Sequence, residues 1–219
     1  MVNLDKEYKT VLNEAACEME EKKSRFIATV KPVSDEAEAV AHINALKSKY
    51  WDATHNVYAY SIGGNNIVQR YSDAGEPSGT AGLPMLEVIK RMNVKNLVVV
   101  VTRYFGGTLL GAAGLIRAYG KSAALGIEEA GIVTKKLCKE VSVIVEYTLF
   151  GRLQSILISK GYTIKDIIYE QDVEIIVFVY VDDVEGFTDT VIEATNAKAI
   201  IQIGDQSYIT LDLEGKLIL

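Results

Sequence analysis

Glycine and acidic charge are segregated along this chain, and that segregation limits what it can fold into more than any other feature. Of 17 glycines, 12 fall between Gly63 and Gly131, while residues 135–219 are rich in Ile, Val and Asp. Residues 1–134 carry 15 Lys+Arg against 15 Asp+Glu, a net charge of zero; residues 135–219 carry 8 against 14, a net charge of −6. A single core has no reason to change character at one point, and 219 residues are enough for two modest domains. The reading is therefore a first domain at 1–134 and a second at 135–219, joined by a short segment or a continuous strand.

The remaining composition excludes several classes. Apolar residues at 49% with only 3 prolines rule out a disordered or collagen-like chain. The longest apolar run, residues 175–181, is seven residues, where a membrane span needs about 20. The first thirteen residues alternate charged with apolar positions and lack the basic, apolar and small-residue tripartite pattern of a secretory signal, so a cytoplasmic location is expected. Cys17 and Cys138 are isolated and read as small hydrophobes rather than a disulfide. With His42 and His55 the only histidines, no transition-metal centre and no cofactor are expected; a carboxylate site for magnesium stays open.

In the first domain, residues 24–33 read as a strand, with Ser34 as the cap of a helix running to about Tyr50 and His42 as a surface or boundary residue of that helix. Residues 54–62 and 67–71 read as a hairpin around Gly63-Gly64-Asn65-Asn66. Pro84 suits the first turn of a helix ending near Met92. The branched run at residues 97–102 reads as a strand buried on both faces, and residues 111–130 as a long helix rich in small residues that stops at Gly131. The second domain reads β, α, β, β, α, β, the ferredoxin-like plan.

Two glycine-rich segments each follow a strand and precede a helix: Asp73-Ala-Gly-Glu-Pro-Ser-Gly-Thr-Ala-Gly-Leu-Pro84 and Thr102-Arg-Tyr-Phe-Gly-Gly-Thr-Leu-Leu-Gly111. Glycines ahead of a helix let backbone approach a ligand, and the first-turn N–H groups favour phosphate or carboxylate, so either segment can be an anion cradle or simply tight packing at strand ends. Neither has Walker A or dinucleotide-fingerprint spacing.

These segments, together with Val99-Val-Val-Thr-Arg-Tyr-Phe-Gly-Gly107 and Leu110-Gly-Ala-Ala-Gly-Leu-Ile-Arg-Ala-Tyr119, resemble the core signature of the IMPACT family, and the layout resembles its bacterial two-domain YigZ-like branch. The resemblance implies an α/β first domain similar to domain IV of elongation factor G and a ferredoxin-like second domain similar to its domain V. It implies a cytoplasmic regulatory or binding protein linked to translation, with protein, ribosome or RNA as partner through the first domain. The eukaryotic relatives carry an additional N-terminal module that restrains a kinase acting on translation initiation; this sequence starts almost directly with the core domain.

The site read from the residues comprises His55, Asp73, Glu76, Ser78, Gly79, Thr80, Arg103, Tyr104, Gly106 and Gly107, all in or beside the signature and near strand ends or helix starts, where side chains converge on a cleft. Arg103 ends an apolar strand and can face an exogenous phosphate or carboxylate, or pair internally with Asp73 or Glu76. Asp73 and Glu76 can act as base or magnesium ligand, or stabilise a turn. His55 is the only histidine beside the signature, where an imidazole can carry a proton, or is one hydrogen-bonded histidine on a sheet face. A Ser78/His55/Asp73 triad can be written but lacks a nucleophile elbow. The alternative to a binding protein is thus an enzyme acting on a small phosphorylated or nucleotide substrate at this cleft. RNA contact, if made, falls to Lys22, Lys23, Arg25, Arg117 and Lys121 of the first domain, because the net −6 of the second disfavours phosphate. The second domain then reads as a protein-docking or dimerising surface.

Overall fold

The computed structural model describes residues 5–64 and 67–218 and divides into two compact units, Met1–Thr134 and Lys135–Leu219. The Asn65-Asn66 half of the expected hairpin loop, and residues 1–4 of the segment weighed as a leader, lie outside the described residues.

In the first unit, strands β2 (Ala15–Glu21), β3 (Ser24–Pro32), β4 (His55–Ile62), β5 (Val68–Ser72) and β6 (Leu97–Tyr104) form a five-stranded sheet in the order β2-β3-β6-β4-β5. Every neighbouring pair is antiparallel. Helix α1 (Glu36–Lys49) links β3 to β4; α2 (Gly82–Arg91) and α3 (Ala112–Glu129) follow β5 and β6. The central strand β6 is buried on both faces because alternate residues serve different helices. Val98 and Val100 pack with Ile43 and Leu46 of α1, whereas Leu97, Val99 and Val101 pack with Met85, Ile89 and Ile127 of α2 and α3. Each such buried aliphatic side chain contributes about 1.5–3 kcal/mol. The parity matters for the site: it carries the next odd residue, Arg103, onto the α2/α3 face.

Two local expectations are corrected, and two strands are added. The cap of α1 is Asp35, whose Oδ1 accepts from Glu38 N–H at 2.8 Å, while the Ser34 N–H donates to the Glu38 carboxylate at 2.9 Å; the box lies one residue later than its serine suggests. His42 is buried at 8% exposure on the apolar side of α1, with no hydrogen-bond partner for Nε2 among the described residues, and burial pushes its pKa down. Two strands before residue 24 were not legible. β1 (Glu7–Val11) is tied in by a bridge from Lys9 to Val94, and β2 pairs with β3 through a two-residue turn at Lys22-Lys23. Both lysines take the left-handed backbone (φ 47° and 65°) that a tight hairpin requires and that Asn-Gly normally supplies.

The second unit has strand β7 (Ile132–Val145), which starts within the first unit's residues, then α4 (Tyr147–Ser159), β8 (Thr163–Tyr169), β9 (Val173–Tyr180), α5 (Val184–Thr195), β10 (Ile200–Leu211) and the short β11 (Leu217–Ile218). The order β11-β10-β7-β9-β8 contains the ferredoxin-like arrangement with one added edge strand. Val141, Val143, Ile175 and Val177 project to one face, where Leu153, Leu157 and Phe187 of the two helices cover them. Among the described residues no helix is long and apolar enough to cross a membrane.

Candidate functional site

The site begins with a row of three residues in register. Phe26 of β3 and His55 of β4 both pair with Arg103 of β6, and strand parity puts all three on the face covered by α2 and α3. Arg103 is 5% exposed, its guanidinium lying over the rings of Phe26 (5.4 Å) and Phe105 (5.7 Å). A buried guanidinium demands a counter-charge, and the first glycine-rich segment supplies it. Ala74 and Gly75 adopt left-handed backbone (φ 48° and 89°), the Glu76 N–H closes the turn onto the Asp73 carbonyl at 3.0 Å, and Glu76 is carried over the row.

Glu76 Oε1 accepts from Arg103 Nη1 at 2.6 Å and from the Tyr119 hydroxyl of α3 at 2.7 Å, and lies 3.8 Å from His55 Nε2. Both members of the ion pair are buried, the Arg103 side chain 6% and that of Glu76 3% exposed. Burial first, and the Glu76 hydrogen bond second, push the Tyr119 phenol far above its ordinary pKa, so it remains a donor. His55 Nδ1 meets the Ala74 carbonyl at 2.9 Å. A carbonyl only accepts, so Nδ1 carries the hydrogen and Nε2 turns to Glu76. Ser24 Oγ accepts from Arg103 Nη2 and from Gly106 N–H, each at 3.2 Å.

This cluster borders a cavity of about 380 Å³, walled on the other side by Phe105, Leu109, Leu110 and Leu115 and reaching Gly111 and Ala112 at the start of α3. Of the residues read as a cleft, His55, Glu76 and Arg103 converge here; the others do not. Asp73 receives the N–H groups of Gly79, Ala81 and Gly82 at 2.9, 3.1 and 2.8 Å, so the anion cradle expected at the first segment is filled by the chain's own carboxylate. Ser78 is exposed and Asp73 is fully engaged with backbone, so no triad with His55 is assembled. Thr80 is buried with its hydroxyl returned to the Pro77 carbonyl at 2.7 Å, and Gly79 lines a different groove. Tyr104 has even parity, faces the α1 side and donates to Asp52 at 2.9 Å. Gly106 is an approach point for backbone: an added Cβ would lie 2.0 Å from the Lys23 carbonyl carbon. Gly107 takes φ 80°, with open space around it. Tyr119 was missed because its spacing is that of a core residue; the signal was a hydroxyl on the buried face of α3, which needs a partner.

The basic residues also sort by geometry. Between α2 and α3 runs a groove of about 740 Å³ with Arg91, Arg117 and Lys121 on it, and a smaller neighbouring groove brings Lys22 to Arg117 and Lys121. All four cations are exposed and form no ion pair among the described residues. Lys23, also exposed, sits in the adjoining turn. Arg25 leaves the set: it donates twice to Glu18, at 2.6 and 2.8 Å, and stacks on Tyr104 on the opposite face. Arg91 joins it, hidden in the sequence because it is remote from the others.

The comparisons with known proteins agree with the glycine-rich signature. The Impact N-terminal domain model matches residues 22–127, and the domain of unknown function DUF1949 matches residues 143–198. The chain is 43% identical over 202 residues to the IMPACT family member YvyE of Bacillus subtilis, covering 92% of this chain and 93% of that protein. It is 34% identical over 138 residues to the IMPACT family member YigZ of Escherichia coli, covering 62% and 68%. A crystal structure of a hypothetical protein superposes with a TM-score of 0.59 at 26% identity, over 90% of this chain and 97% of that one. With the Impact N-terminal model matched across the glycine-rich signature and a relative matched along nearly the whole chain, this protein belongs to the IMPACT family, in its bacterial two-domain form.

Proposed function

We propose that this chain is a cytoplasmic regulatory binding protein of the translation apparatus that contacts RNA phosphate through the α2/α3 face of its first unit. The observation that carries the reading is the convergence of Lys22, Arg91, Arg117 and Lys121 around adjoining grooves in a unit whose net charge is zero. Neutral in total, the unit concentrates exposed cations on one face, and phosphate attraction depends on local arrangement. Of the acidic residues at these grooves, Glu87 is engaged by Lys90 at 2.9 Å. The resemblance to the IMPACT family, which implies a first domain similar to a translation-factor domain, supports RNA over other polyanions. The net −6 of the second unit supports protein docking or dimerisation there.

Co-sedimentation of the full chain with ribosomes or ribosomal RNA, beside a turnover screen on phosphorylated metabolites and nucleotides, tests the reading. RNA association lost in Arg117→Gln/Lys121→Gln, with no turnover, is the expected result. Turnover abolished by Glu76→Gln, with no RNA association, would replace it with the enzyme reading.

A further inference from the structure

The turn that follows α1 puts the chain's only tryptophan in water. Trp51 is 81% exposed, a cost for a side chain of a type that buries about 150–250 Å² when covered. Its backbone is held on both sides. Tyr50 N–H donates to the Leu46 carbonyl at 2.9 Å, Ala53 N–H to the Tyr50 carbonyl at 3.1 Å, and Asn56 Nδ2 to the same Tyr50 carbonyl at 3.2 Å. The Tyr104 hydroxyl donates to Asp52 Oδ1 at 2.9 Å, which ties the next residue to the end of β6. The indole is thus presented from a fixed turn, with little backbone freedom left to lose when a flat group stacks on it.

A second observation says what kind of partner fits there. Three cations flank the turn, and each lies over an aromatic ring: Arg25 over Tyr104 at 5.7 Å, Lys47 over Tyr58 at 5.5 Å and Lys49 over Tyr50 at 5.1 Å. Strand parity explains the gathering. Tyr58 of β4 and Tyr104 of β6 share the α1 face with Val98 and Val100, and Arg25 of β3 is in register with Tyr104. Lys47 and Lys49 are exposed and form no ion pair among the described residues. Of the carboxylates here, Glu18 is engaged by Arg25 and Asp52 by Tyr104.

Aromatic faces interleaved with cations suit a chain of flat bases on a phosphate backbone, the bases stacking and the phosphates meeting the cations. A protein partner anchored on an indole is favoured by an apolar surround, whereas this one is flanked by charged and hydroxyl-bearing groups. We infer that Trp51, with Tyr104 and the cations Arg25, Lys47 and Lys49, is a stacking platform for unpaired bases of single-stranded RNA. The inference rests on the RNA reading and deepens it, naming the state of the strand and a second contact surface. The two surfaces meet at the Lys22-Lys23 turn: Lys22 borders a groove with Arg117 and Lys121, and Arg25 follows the turn onto the α1 face.

Because Trp51 is the only tryptophan, its fluorescence reports this one position in the full chain. Titration with a short oligouridylate, followed by Trp51 emission and by anisotropy of a labelled strand, quenches the indole saturably; a duplex of the same length, whose bases are already stacked, does not. Trp51→Ala, an exposed change, weakens binding of the single strand about tenfold, and Trp51→Phe keeps most of it. The slope of log affinity against log salt is unchanged in Trp51→Ala, since an uncharged ring neutralises no phosphate, whereas it falls in Arg117→Gln/Lys121→Gln. RNA bound with Trp51 emission and Trp51→Ala affinity both unchanged would overturn the platform and leave the RNA reading standing. Equal quenching by the duplex would overturn the platform as well. No RNA bound at all would overturn both.

Discussion

Replacing Glu76 by alanine isolates the ion pair at the glycine-rich corner of the first unit. The carboxylate accepts from Arg103 at 2.6 Å and from Tyr119 at 2.7 Å, and the two charged side chains are 6% and 3% exposed. Its removal leaves a buried guanidinium uncompensated and a buried phenol without its acceptor, so the loss is that of breaking a buried pair, about 3–5 kcal/mol. Replacing both partners, Glu76→Leu with Arg103→Leu, removes the unpaired charge along with its counter-charge and costs about 2 kcal/mol less than Glu76→Ala alone. Amide hydrogen exchange at Val99–Val101, in the most buried strand, reads opening of the first unit without requiring both units to unfold together. A loss of protection under about 1 kcal/mol in Glu76→Ala, or a double variant less stable than the single one, would refute the view that burial sets the importance of this pair.

Other outcomes follow from the same coordinates. Asp73→Ala deprives three N–H groups at the start of α2 of their acceptor and lowers stability by about 1–2 kcal/mol, measured by urea titration. Gly106→Ala drives a methyl into the Lys23 backbone at 2.0 Å and sharply lowers the thermal midpoint, whereas Gly151→Ala, helical and with nothing within 4 Å, raises stability by roughly 0.5–1 kcal/mol. Lys22→Asn with Lys23→Gly relaxes a strained turn and stabilises by about 1–2 kcal/mol while weakening RNA association, so the two readouts move in opposite directions. For His42, burial holds the folded pKa below the unfolded value of about 6.5, so the unfolded chain binds more protons as the solution is acidified. Its stability contribution is whole above about pH 6.5 and is lost as pH falls toward the folded value; His42→Leu flattens that part of a midpoint-against-pH curve.

The parts of this fold legible in the sequence are those where period and punctuation agree. The run at residues 97–102, the helix closed by Gly131 and the β, α, β, β, α, β order each carry pattern and stop signal together, and each forms. The strands before Ser24 were hidden because β2 has no fully buried position, and its turn uses Lys22-Lys23 where a hairpin normally advertises Asn-Gly. At the site, the glycine-rich segments marked the right corner but not which way each side chain turns. Parity on β6 separates Arg103 from Tyr104, and a chain carboxylate, Asp73, takes the N–H groups ahead of α2. Tyr119 is brought in by tertiary packing across 43 residues, beyond the reach of any local pattern.

The most direct test of the central claim is the salt dependence of RNA binding by the full chain, parent against Arg117→Gln/Lys121→Gln. Each phosphate contact on a single strand contributes about 0.7 to the slope of log affinity against log salt, so losing two lowers its magnitude by about 1.4. That decrease, with the fold unchanged by circular dichroism, is the predicted result. An unchanged slope and affinity in the double variant would show that RNA is not held on the α2/α3 face.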